Sequence, residues 1–132
     1  MSSKKINPAS LRRIILEESK RAHVGHIASA LSVTEIISVL YSDVLHIARP
    51  DDPERDRFVL SKGHAALALY AALTLKGFLT LEDLHSYCGD GSLLGVHPER
   101  DLVGVDFTTG SLGHGLSFAA GAALAARLDG SP

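Results

Sequence analysis

Four histidines stand where a chain can do chemistry: His26, His64, His97 and His114 each lie in a turn or loop beside Gly or Pro. A neutral imidazole donates one hydrogen bond and accepts another, and it exchanges a proton near neutral pH, so several together suit the handling of hydroxyl and carbonyl oxygens. One such histidine alone is more often a capped or solvated loop residue. Zinc is not expected, because no pair has the close spacing of a metal site and Cys88 is the single cysteine. Gly89-Asp90-Gly91 offers one carboxylate to a hard cation, but the sole asparagine, Asn7, is far upstream, and the tripeptide reads as a turn.

The element that must position these residues is Arg57 to Gly77. Phe58, Val59 and Leu60 form a short apolar run, the sign of a buried strand, and Ser61-Lys62-Gly63-His64 turns the chain. From Ala65 to Lys76 the spacing is helical, with Gly77 placed as a C-cap. A strand that ends in a small-residue turn and opens a helix sets His64 at the mouth of an α/β crevice, where phosphates bind. Upstream, Ser10 can cap a helix carrying Leu11, Ile14, Ile15 and Ala22, with Lys4, Lys5, Arg12, Arg13, Lys20 and Arg21 on its wet face. Residues 23–29 interrupt the pattern. Ser32-Val33-Thr34-Glu35 then has the form of a capping box before a helix burying Ile36, Ile37, Val39, Leu40, Val44 and Leu45.

Downstream, Thr80 caps a short helix ending near Tyr87, and Cys88 to Thr109 is a long loop. Gly110-Ser111-Leu112-Gly113-His114-Gly115 leads into a last helix whose alanines permit close packing, and 129–132 reads as a turn. Helices outnumber strands: only Phe58 to Leu60 is a convincing strand, with Val103 to Phe107 a weaker second. A buried parallel strand needs neighbours on both edges, so the expected sheet must draw strands from elsewhere or not form as usual.

The 132 residues are one domain's worth of chain, with 45% hydrophobic residues, 21% charged and a formal net charge of −2. That balance gives no reason to expect nucleic acid or an anionic membrane as partner. With no apolar stretch of membrane-spanning length and one cysteine, the expectation is a cytoplasmic protein.

Taken in order, the motifs resemble the N-terminal, diphosphate-binding section of transketolase, closest to the type made as two separate subunits. The residues that carry the resemblance are Gly25-His26 with Leu31-Ser32, Asp56 to Ala65, Leu69-Tyr70, His97-Pro98-Glu99, and Thr108 to Ser117. It covers nearly the whole chain, and three departures are Ala28 after Gly-His-Ile, Val96 before His97, and His114 where Gln is common. The resemblance implies an α/β fold, a partial thiamine-diphosphate-binding domain over residues 1–132 with a parallel sheet flanked by helices. It implies transfer of a two-carbon ketol unit between sugar phosphates using thiamine diphosphate.

On that resemblance His64 is a diphosphate ligand close to the reacting carbons, and Gly110, Ser111, Leu112, Gly113 and His114 meet the cofactor at a helix start. His26 and His97 hold substrate oxygens. The family's own Gly-Asp-Gly and Asn, ligands of Mg²⁺, follow the last helix and one more strand, and its activating glutamate lies in a pyrimidine-binding domain. All are expected from a partner chain or a missing segment, which implies an oligomer. The alternatives are the same scaffold acting on a different ketose or on pyruvate, a non-catalytic assembly or regulatory helical module, and a phosphate-ester binder that ignores thiamine.

Overall fold

The computed structural model describes residues 5–131, and its architecture is built around one helix that is apolar on every side. This is α4, Ala66–Lys76, entered through a 3-10 turn at Gly63–Ala65. Gly77 closes it at φ 83°, the left-handed conformation that glycine tolerates and a C-cap needs. Every residue from Ala65 to Leu73 is buried, as a helix without a polar face must be. Leu67, Leu69 and Leu73 each contribute about 1.5–3 kcal/mol by leaving water.

Four helices pack against this rod. α1, Pro8–Ala22, is capped by Asn7 rather than by the expected Ser10. Asn7 Oδ1 accepts from the Ala9 amide at 2.9 Å, and Pro8 takes the first helical position, where its missing N–H costs nothing. Leu11, Ile14 and Ile15 face the core. On the outer face Arg12 pairs with Glu35 and Arg13 with Glu17, Arg21 reaches the buried Glu18, and Lys5 pairs with Asp43, so the basic residues are dispersed among carboxylates rather than gathered in a patch. Lys4 lies outside the described residues. The interruption expected at 23–29 contains a short helix, α2, Ile27–Leu31.

α3, Thr34–Val39, continues into a π-helical turn, Leu40–Val44. The capping box expected at Ser32–Glu35 does not form: Val33 is the N-cap, while the Ser32 hydroxyl donates to the Ser29 carbonyl and the Thr34 hydroxyl to the Leu31 carbonyl. The buried stripe is Thr34, Ile37, Ser38 and Tyr41, spaced i, i+3, i+4, i+7. Ile36, Val39 and Val44, expected inside, therefore fall on the far side and are exposed. α5, Leu81–His85, carries the expected Thr80–Asp83 capping box.

Among the described residues there is no strand, so they do not by themselves form the parallel sheet of the expected α/β fold. Phe58 to Leu60 runs between α3 and α4 without ladder partners. Side chains serve its backbone instead: the Phe58 amide donates to Asp106 Oδ2 at 3.1 Å, and the Leu60 carbonyl accepts from the Thr109 hydroxyl at 2.6 Å. Residues 106–109 thus follow 58–60 in the same direction, held by side chains where a sheet would use main chain. Gly89-Asp90-Gly91 is a turn, closed by Gly89 N–H to Ser86 O and Ser92 N–H to Gly89 O.

α6, His114–Asp129, does not achieve the close packing its alanines permit. Gly115 is its sole buried residue, and Leu116, Leu124 and Leu128 are exposed, at 75%, 57% and 78%. The Gly130-Ser131 end of the expected turn is described, and Pro132 lies outside the described residues. Among the described residues no helix is long and apolar enough to cross a membrane.

Candidate functional site

The site forms where the turn before α4 meets the turn before α6. Gly63 lies so close to the 109–110 backbone that a Cβ added to it would stand 2.5 Å from the Thr109 oxygen and 2.9 Å from the Gly110 nitrogen. A methyl at Gly115 would likewise collide with the backbone and Cβ of Ser61. These two contacts register the Ser61–His64 turn against the glycine turn, and they require the absence of side chains. Gly63→Ala is expected to cost about 1–3 kcal/mol, since backbone on both sides must part. Urea unfolding checks it, and an unchanged midpoint would refute the contact.

His64 projects from the 3-10 turn, half-exposed, and its ring centroid lies 5.3 Å from that of His26 at an interplanar angle of 55°. His26 is the N-cap of α2 and holds a left-handed backbone, φ 62° and ψ 17°, which costs a non-glycine residue about 1–3 kcal/mol. Lys62 fixes the approach of these segments: its Nζ donates to the Ser32 hydroxyl at 2.8 Å and to the Ser29 carbonyl at 3.4 Å, binding α2 to the turn.

His97 arrives from the long loop. Its carbonyl and that of Gly95 accept from the Tyr70 hydroxyl, at 2.9 and 3.1 Å, and the next residue, Pro98, is buried with its carbonyl accepting from the Thr109 amide at 3.3 Å. The His97 ring borders Gly110, whose missing Cβ would sit 3.6 Å from its Cδ2. His26, His64, His97 and Gly110 therefore share one neighbourhood.

Partial desolvation lowers the pKa of His64, and the positive forms of His26, Lys62 and His97 lower it further. The ring is held neutral at pH 7. In the unfolded chain it titrates near 6.5, so as pH falls through that value the unfolded state takes up the proton first and stability declines. An NMR titration is expected to place the His64 midpoint below 6.5; a midpoint above it would contradict the arrangement.

Ser111, Leu112 and Gly113 are exposed, and Gly113, at φ 90°, is an N-cap without a side-chain bond to the first turn of α6. His114 stands on that turn against Phe118, 5.8 Å between ring centroids, and Phe118 stacks on Phe107. Its ring contact is thus with the aromatic pair, whereas His26, His64 and His97 cluster together. Lys62, Tyr70 and Thr109 are supports to which the sequence reading gives no role. The signal for Tyr70 was a phenol inside an apolar helix, since a buried hydroxyl needs a partner.

A neutral imidazole, a glycine with no side chain in the way and uncapped first-turn amides form a donor set that fits a phosphate-bearing, ring-containing cofactor. For a metal ion the fit fails: among the described residues no group of three His, Cys, Asp or Glu side chains could hold one.

Comparison with known proteins agrees in kind. The family described as "Transketolase, thiamine diphosphate binding domain" matches residues 3–130. The 6-deoxy-6-sulfo-D-fructose transketolase subunit of Clostridium sp. (strain MSTE9) is 46% identical over 125 residues, covering 92% of this chain and 46% of that protein. An apulose-4-phosphate transketolase subunit of Phocaeicola vulgatus is 40% identical over 120 residues, 89% of this chain and 43% of that protein. Transketolase 1 of Saccharomyces cerevisiae is 40% identical over 123 residues, 92% of this chain and 18% of that protein. The chain spans less than half the length of these curated relatives.

Proposed function

Because the chain belongs to the family of the transketolase thiamine diphosphate binding domain, we propose that it forms part of a transketolase-type transferase, moving a two-carbon ketol unit between sugar phosphates. The observation that carries this reading is the seating of the His64 turn on the Thr109–Gly110 backbone with His26 and His97 beside it. When bound, thiamine diphosphate supplies the carbon nucleophile and electron sink of the ketol transfer. The chain supplies grip and orientation. His64 gives a neutral N–H to a diphosphate or substrate oxygen, Gly110 to Gly113 leave backbone amides free, and His26 and His97 hold substrate hydroxyl and carbonyl oxygens. His114 extends the polar edge at the start of α6.

The rest of the site belongs to structure outside these residues, on a further segment or on a complementing transketolase chain. It would bring the remaining strands of a parallel sheet, the oxygen ligands of Mg²⁺ and the activating glutamate. The exposed apolar residues of α6 and the ladder-free backbone at 58–60 support this, since both are features that a completed domain covers. The same bare helix favours the second reading, a non-catalytic assembly module. We place the protein in the cytoplasm, acting as an oligomer without nucleic acid or membrane.

Calorimetric titration with thiamine diphosphate and Mg²⁺ tests the proposal. The chain alone is expected to bind weakly and the assembled complex tightly. Tight Mg²⁺-dependent binding by the chain alone would remove the need for a partner. Sugar-phosphate binding by the complex that is indifferent to thiamine diphosphate would favour the simple phosphate-ester binder.

A further inference from the structure

The hydroxyl of Tyr70 lies in the core of the most buried helix, yet it makes contacts that reach the site. Tyr70 has no exposed surface, and its ring packs edge-on to Tyr87 at 6.1 Å. The ring would be satisfied by that packing alone. The oxygen is not: it lies 2.9 Å from the His97 carbonyl and 3.1 Å from the Gly95 carbonyl, two acceptors on one short bend of a loop with no regular structure. Burial keeps the phenol protonated, its pKa raised first by desolvation and then by Tyr87, Cys88 and Glu99, so the O–H is a permanent donor. A single proton shared between two carbonyls pins both ends of the bend.

We propose that Tyr70 is a positioning residue for His97, fixing the loop so that the imidazole stays against Gly110. The chain of contact is short. The phenol holds the His97 carbonyl, Pro98 is sealed in the core with its own carbonyl on the Thr109 amide, and Thr109 is the residue against which Gly63 is packed. Tyr70 thus joins α4, the helix that the His64 turn opens, to the loop that carries His97, and it sets the spacing of the two segments without touching either ring. This inference rests on the proposed role of His97 only for its kinetic consequence; the positioning itself is a property of the chain.

Tyr70→Phe removes the oxygen and keeps the ring. Two readouts separate the claims. In NMR spectra of the full chain, the ring signals of His97 are expected to shift and broaden in Y70F, while those of His85, which lies on α5 and bonds Glu18, stay in place. Unmoved His97 signals would overturn the positioning role. If Y70F does not fold, the wild-type chain still decides: the Tyr70 hydroxyl proton is expected to exchange slowly with water, and fast exchange would overturn the proposal. In the assembled enzyme, Y70F is expected to raise KM for the ketose about tenfold with kcat within about threefold, as loss of uniform binding through one hydrogen-bonded support would do. Combined with His97→Ala, Y70F should add no further loss, because both act through one imidazole. Full additivity would show a merely structural role. If H97A alone leaves the kinetics unchanged while Y70F still moves the His97 signals, the functional reading of His97 fails and the positioning stands.

Discussion

Replacing His64 with Ala is expected to lower kcat of the assembled enzyme by about a hundredfold or more, the range in which a positioned acid–base or hydrogen-bonding group contributes. Folding should be nearly untouched. The ring is half-exposed, and among the described residues no hydrogen bond secures it, so its loss leaves no buried partner orphaned. The combination of a large kinetic loss and a small change in the urea midpoint distinguishes this residue from its neighbour Gly63, where the cost falls on the fold. His64→Gln keeps a donor and an acceptor and is expected to recover part of the rate. The non-catalytic reading makes the opposite prediction: H64A would leave every activity of a complex containing this chain unchanged, and that result would sink the proposed function.

The His64 turn was legible because its signals are local. An apolar triplet, a Gly-His turn and a helix closed by Gly77 specify their conformations within a few residues, and the structure reproduces the turn, the helix and the cap. The Thr80–Asp83 cap was legible for the same reason, with both bonds spanning three residues. What failed needed distant information. Ser32 to Glu35 matches a capping box in pattern, but the hydroxyl of Ser32 is taken by the Ser29 carbonyl and by Lys62, thirty residues away. The strand at 58–60 failed for want of partners, since a β-strand is a property of a pair and no second segment among the described residues offers a ladder. Its place is kept by Asp106 and Thr109, side chains whose use no periodicity announces.

The grouping of His26, His64 and His97 lay between these cases. Sequence spacing marked each as a turn or loop residue, but spacing carries no distance between turns. What brings them together is the close approaches at Gly63 and Gly115, the contact of the His97 ring with Gly110, and the bonds of Lys62, Tyr70 and Thr109. A glycine in a turn could equally have served a positive φ, yet Gly63 and Gly115 are needed because another backbone occupies the space a side chain would fill. That distinction is visible only in three dimensions.

Asp106→Ala is expected to be the most destabilising single change considered, costing about 3–5 kcal/mol, because it breaks a buried ion pair and leaves its partner charged. The Arg55 and Asp106 side chains are 7% and 8% exposed and meet through two bonds, 2.7 and 3.1 Å. The same carboxylate accepts from the Phe58 amide, and it lies 3.3 Å from the half-exposed Arg57 guanidinium, a contact that water screens. Truncation therefore strands a guanidinium and a backbone N–H together. Asp106→Asn keeps an acceptor for the amide and should cost less than D106A. The double change Arg55→Met with Asp106→Leu should cost less than D106A, since neither charge then remains to be desolvated, although the Phe58 amide and the Pro50 carbonyl lose their partners. Urea unfolding of the three variants orders them, and a double mutant as unstable as D106A would show that packing at this point, rather than the uncompensated charge, sets the cost. The effect should also reach the site. Residues 106–109 are tied to 58–60 at one end by Asp106 and at the other by Thr109, and those two segments lead directly into Gly110 and His64. With the Asp106 tie gone, the two turns keep only the Thr109 bond and the Gly63 and Gly115 contacts to hold their register, so the NMR signals of His64 and His97 in D106A are expected to broaden well below the denaturant concentration that unfolds α4.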